Sequence, residues 1–180
     1  MIRSTMQDCP LTITAIMRHG ARVYGGSECV TWTGAGTRRA TYKQVSQNAG
    51  RLAGALARLG IGAGDPVATF CWNNQEHLEA YFGVPGMGAV LHTLNIRLPG
   101  AQIARIATHA GDRIIIVDDT LVPLLATIKD QLPRSRHSSS TARATRRPWE
   151  TWSPCCVITI CWPARALTST GLSWTSGPRR

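Results

Sequence analysis

The chain has 180 residues, 43% of them hydrophobic, and sets 20 Lys+Arg against 10 Asp+Glu for a net charge of +10. That length is enough for one domain with a real core. No run approaches the roughly 20 consecutive apolar residues that a membrane span needs.

The charge is unevenly placed. Residues 1–133 hold 12 Lys+Arg and 9 Asp+Glu, whereas residues 134–180 hold 8 Arg, no Lys and a single acid, Glu150. Four of the six Trp and three of the six Cys also fall in those last 47 residues. The basic character therefore belongs to a tail, and the two parts need separate readings. Cys9, Cys29 and Cys71 are isolated, and Cys155, Cys156 and Cys161 lack the paired spacing and the histidines of a zinc site. They read as thiols of a reducing compartment. The start has an acid at Asp8 and no sustained apolar run, unlike a secretory signal, so a cytoplasmic protein is expected.

In chain order, Ile13, Ile16, Met17 and Gly20 fall at helical spacing after Pro10. "CVTWTGAGTRRATY" alternates on both sides of a glycine turn and predicts a hairpin. "TYKQVSQNAGRLAGALARLG" opens with Thr41 and Gln44, a capping box. It continues with an apolar stripe of Val45, Ala49, Leu52, Ala53, Leu56 and Leu59 and stops at Gly60. Strand "PVATFCW", helix "NQEHLEAYFGV", strand "AVLHTL", helix "PGAQIARIATHA", strand "RIIIVDD" and helix "TLVPLLATIKDQL" follow. Continuous apolar strands separated by helices predict an α/β fold, a parallel sheet with flanking helices on both faces.

Four motifs invite a functional reading, and each has a plainer one. "GIGAGD" at 60–65 is glycine-rich, but it follows a helix and precedes a strand, the reverse of a phosphate loop. It reads as a turn. Arg38 and Arg39 sit in the hairpin and read as an exposed tip. Glu76, His77 and Glu79 lie close on one helix and read as a solvated face rather than metal ligands. His92 lies in an apolar strand and reads as a core histidine. No catalytic, cofactor-binding or metal residue is assigned on this basis.

The block at 72–98, "WNNQEHLEAYFGVPGMGAVLHTLNIRL", closely resembles the early part of the fatty-acyl-CoA synthetases, within the adenylate-forming, AMP-binding ligase superfamily. "TYKQVSQNAGRLAGALARLGIGAGDPVATF" and "QIARIATHAGDRIIIVDDTLVPLL" are similar to the family's flanking elements. "MQDCPLTITAIMRHGARVYG" is similar to its opening, which points to Met6 as a native start. The likeness covers residues 6 to about 133 and implies that residues 1–133 are an incomplete N-terminal AMP-binding domain. A full-length member would join a fatty acid to ATP as acyl-adenylate, with magnesium, and pass the acyl group to coenzyme A. Pairing of full-length relatives as homodimers is also implied. The glycine-, serine- and threonine-rich phosphate loop, the later aromatic–Thr–Glu motif, the ribose-binding Asp and the C-terminal lysine are not in this sequence, so no site residue carries over.

The resemblance and the ordinary composition stop together at Pro133. A base lost near codon 133 accounts for both. Reading each later codon one base earlier forces Gly at Trp149-Glu150, Leu at Cys161-Trp162, Ala at Trp162-Pro163 and Asp at Trp174-Thr175. The other positions permit a family-like continuation ending in PDFDWPELDE. Residues 134–180 are therefore expected to be an irregular, out-of-frame tail. The rival, an Arg- and Trp-rich arm that binds nucleic acid, fits "SRHSSSTARATRR" but not the aggregation-prone run "CCVITICW", so no nucleic-acid partner is expected. With later elements missing, the apolar sheet faces are expected to be uncovered and the chain prone to aggregate.

Overall fold

The computed structural model describes residues 10–132, together with the backbone of 155–159 and 173–174. Helix α1 (Ile13–Val23) begins at Thr12, whose side chain accepts from the Ala15 amide. Strands β1 (Glu28–Trp32) and β2 (Thr37–Thr41) form the expected antiparallel hairpin. Helix α2 (Tyr42–Arg58) carries the Thr41–Gln44 capping box in full, and Val45, Ala49, Leu52 and Leu56 face inward. Gly60 (φ 81°) and Gly64 (φ 79°) turn the chain from α2 into the next strand. The left-handed backbone at these two positions is one that side chains resist.

From here the chain alternates: β3 (Pro66–Phe70), α3 (Gln75–Gly86), β4 (Val90–Thr93), α4 (Gly100–Ala110), β5 (Ile114–Asp118) and α5 (Val122–Ala126). Strand β3 pairs in parallel with β4 on one side and β5 on the other. The strand alternation separates two cores. Ala68, Phe70, Ile115 and Val117 face Ile103, Ala104 and Ala107 of α4 and Leu125 of α5. Val67, Ile114 and Ile116 face Leu52 and Leu56 of α2 and Ala80 and Val84 of α3. Helices α2 and α3 approach so closely at Gly83 that a Cβ there would lie 2.7 Å from the Ala49 carbonyl oxygen.

Several expectations are corrected. The faces of β3 and β5 are not uncovered, because α4 and α5 close one and α2 and α3 the other. The apolar run of β4 is not buried on both sides. It is an edge strand with Val90 and Thr93 exposed. "TLVPLLATIKDQL" is not one helix. Pro123 sits at the start of α5, which lasts five residues between two short 3-10 turns at Asp119–Leu121 and Lys129–Gln131. Leu121, Leu125, Ile128 and Leu132 each still reach the α4 side of the core, so burial decides here over helical continuity.

In the tail, β6 (Cys155–Thr159) and β7 (Ser173–Trp174) are strands, joined antiparallel to the outer edge of β5 in the order β4-β3-β5-β6-β7. The rest of the expected irregular tail lies outside the described residues. Among the described residues, no helix is long and apolar enough to cross a membrane.

Candidate functional site

The strand order places a reversal at β3. The chain leaves β3 through α3 to reach β4, then crosses back through α4 to pair β5 on the other side. In doubly wound sheets such a reversal opens a crevice beyond the carboxyl ends of the strands. Here those ends carry Trp72 and Asn74 after β3, Asp118 as the last residue of β5, and Thr120 just beyond it.

These four side chains form one network. Asn74 accepts the His77 amide at 2.9 Å, capping α3, and donates to Asp118 Oδ2 at 2.9 Å. Asp118 Oδ1 accepts from the Thr120 hydroxyl at 2.7 Å and the Thr120 amide at 3.1 Å. Trp72 Nε1 donates to Thr120 Oγ1 at 2.9 Å, leaving about half of the indole exposed. The sequence reading missed this group. Its signal was present in the Asn pair after an apolar strand and the Asp pair after "RIIIV", each at a strand end that opens a helix or turn.

Beside the crevice, Glu76, His77 and Glu79 are buried, not solvated. The β1–β2 hairpin folds over α3 and covers them. Thr31 Oγ1 accepts the Gln75 amide at 3.0 Å, and Arg38 donates to Glu76 at 2.5 Å. Arg38 is thus a strand residue bound to α3 rather than part of an exposed tip, while Arg39 is exposed and pairs with Glu28 at 2.6 Å. Glu79 Oε1 accepts from Asn48 of α2 at 2.9 Å and from Gln75 at 2.7 Å.

The electrostatics of this cluster follow from its burial. Burial pushes the Glu76 carboxyl above the usual carboxylate range, and Arg38 draws it part of the way back. Burial lowers His77, which keeps its imidazole neutral beside the Thr69 hydroxyl at 3.0 Å. That pair has the form of a nucleophile and its base, but Thr69 is fully buried and no substrate reaches it. Burial, and then the Glu79 and Glu76 carboxylates, raise the Cys29 thiol, which keeps it from the reactive thiolate form.

The remaining candidates resolve as follows. His92 is half-buried on the edge strand, not in the core, and Nδ1 lies 2.8 Å from the fully buried Asp112. Burial raises the Asp112 carboxyl, and His92 opposes the rise. The 60–65 segment is the turn expected. Asp65 accepts the Gly62 amide and pairs with Arg113, which ties the turn to the start of β5.

Nor do the described residues fit an ATP–magnesium site. The glycine turn precedes a strand, the first amides of α3 are already taken by Thr31 and Asn74, and Glu76 and Glu79 are held by Arg38, Asn48 and Gln75. Among the described residues no three His, Cys, Asp or Glu side chains converge as metal ligands.

Comparison with known proteins gives these side chains a context. The AMP-binding enzyme family matches residues 17–155. The chain is 45% identical over 135 residues to a long-chain-fatty-acid–CoA ligase of Thermus thermophilus, covering 74% of this chain and 25% of that protein. It is 38% identical over 141 residues to a medium-chain-fatty-acid–CoA ligase of Ectopseudomonas oleovorans, with 74% and 26% covered. The fold matches a fatty acyl CoA synthetase of Mycobacterium tuberculosis with a TM-score of 0.60 at 28% identity, over 66% of this chain and 23% of that one. It matches the N-terminal domain of FACL13 from the same organism with a TM-score of 0.60, over 66% and 29%. The chain therefore spans about a quarter of the length of the curated ligases it matches. The family match runs beyond the break in composition at Pro133.

Proposed function

From the premise that this chain belongs to the AMP-binding enzyme family, we propose that it is the opening quarter of an ATP-dependent fatty-acid–CoA ligase, followed by an out-of-frame tail. A full-length protein of this kind forms acyl-adenylate from a fatty acid and ATP, with magnesium, and transfers the acyl group to coenzyme A. This chain supplies the first βα units of that enzyme and, alone, catalyses neither step. The observation that carries the reading is 45% identity to a long-chain-fatty-acid–CoA ligase confined to 25% of its length. Electrostatic stabilisation of the leaving pyrophosphate is usually the largest catalytic contribution, and the first amides of α3 and the carboxylates beside them are already bonded within the chain.

Two measurements test the proposal. Fatty-acid-dependent pyrophosphate release from the purified chain is expected to stay at background, and release above background refutes the inactive reading. The DNA beyond codon 180 is expected to encode the family's phosphate loop in the frame one base earlier. An in-frame loop, or none in any frame, refutes the frameshift.

A further inference from the structure

The outer edge of β5 is the edge of the sheet that the tail reaches. Strand β5 is buried at all five positions and gives one edge to β3 in parallel. Its other edge takes β6 antiparallel, from Ile114 opposite Thr159 to Asp118 opposite Cys155. An antiparallel partner needs only a reversal of direction, without a crossover helix. Loop closure costs grow only logarithmically with length, so a partner strand from later in the chain is not excluded by its distance in sequence. The segment Cys155–Thr159 has no charge and ends in three β-branched residues, the composition that strands favour. Strand β7 then pairs with β6 through Ser173 and Trp174.

We propose that the outer edge of β5 is a strand-acceptor surface, and that the tail segment Cys155–Thr159 is the strap that caps it. The partner it fits is an extended, uncharged, β-branched strand. Without the strap, β5 presents a row of unpaired amides and carbonyls along a strand that is apolar from Ile114 to Val117, the template through which sheets join edge to edge. The next occupant is then β5 of a second copy of the chain. The opposite edge is a poorer template, because β4 has four residues and is exposed at both ends. The inference rests on backbone pairing and not on the ligase reading, so the DNA and pyrophosphate results leave it standing or falling by itself.

Two variants of the full chain test it. In a C155S/C161S background, Val117→Cys places a thiol opposite Cys156. Directly opposed antiparallel residues have Cα atoms about 4.5–5.5 Å apart, within the disulfide range. Mild oxidation is expected to give a disulfide to Cys156 within one chain, mapped by mass spectrometry. An interchain disulfide, or none, in a chain with an unchanged circular dichroism spectrum overturns the proposal. In the second variant, Val157→Pro breaks the strap. Amide exchange at Ile114–Asp118 is expected to rise at least tenfold while β3 stays protected, with larger species appearing in sedimentation. Unchanged exchange in β5 overturns the proposal. If this variant unfolds throughout, the disulfide result decides.

Discussion

The βα units at 41–132 and the tail at 134–180 share one sheet, yet they are built by different rules. In the first region each local signal agrees with the global fold. Thr41 and Gln44 cap a helix whose apolar stripe faces a strand, Gly60 and Gly64 turn it into that strand, and the three isoleucines of β5 split between two cores. In the tail, eight arginines, four tryptophans and three cysteines keep to no helical or strand period. The two described strands of the tail, β6 and β7, follow the edge of β5. Agreement across levels marks a sequence selected for its structure. The tail shows that a strand can also be borrowed from an exposed template.

The most forceful way to break this comparison is to remove one large side chain from each region. Phe70 is fully buried between β3 and α4. Phe70→Ala removes its burial and leaves a cavity, and is expected to lower stability by about 3–5 kcal/mol. Trp162→Ala in the tail is expected to change it by less than about 0.5 kcal/mol. Urea unfolding followed by circular dichroism reads both. Equal losses would show that the tail packs as specifically as the sheet.

Much of the first region was legible because its signals are local. Capping, glycine turns and strand runs are decided within a few residues. The burial of Glu76, His77 and Glu79 was not legible, because it depends on a hairpin about 38 residues away folding over α3. A helix whose charged residues are covered by a neighbouring strand has the same sequence as one facing water. The Trp72–Thr120 and Asn74–Asp118 contacts were hidden for the same reason, since they join segments more than 40 residues apart. The break after α5 was invisible because Leu121, Leu125 and Ile128 keep a helix-like spacing.

A second test sharpens the contrast through pH. Burial raises Glu76 in the folded chain, so the folded state binds more protons than the unfolded state between the ordinary carboxylate value and the raised one. Stability from this group is therefore full at acid pH and falls as pH rises through that window. Arg38 limits the fall. Arg38→Met is expected to cost about 1–3 kcal/mol at neutral pH, and the deficit should shrink once Glu76 is protonated in both states. Glu76→Gln should flatten the slope. The tail acid offers the control, because Glu150→Gln should leave the profile unchanged. A deficit in Arg38→Met that is equal at acid and neutral pH would show that Arg38 acts by packing and not by charge.

The smallest expected effect asks whether region or environment decides. Arg39 follows Arg38 in β2, and the pleat turns their side chains to opposite faces. Arg38 reaches inward to a carboxylate with 4% of its side chain exposed, whereas Arg39 meets Glu28 with both partners about half exposed. Water screens the second pair, and holding two long side chains together offsets most of the attraction. Arg39→Ala is therefore expected to cost less than about 0.5 kcal/mol, and to lose even that in high salt, where exposed charges are screened within about 3 Å at 1 M. Arg147→Ala in the tail should match it. If Arg39→Ala instead costs as much as Arg38→Met, the hairpin arginines act as one unit, and the division between buried and exposed charge drawn here fails at its nearest neighbours.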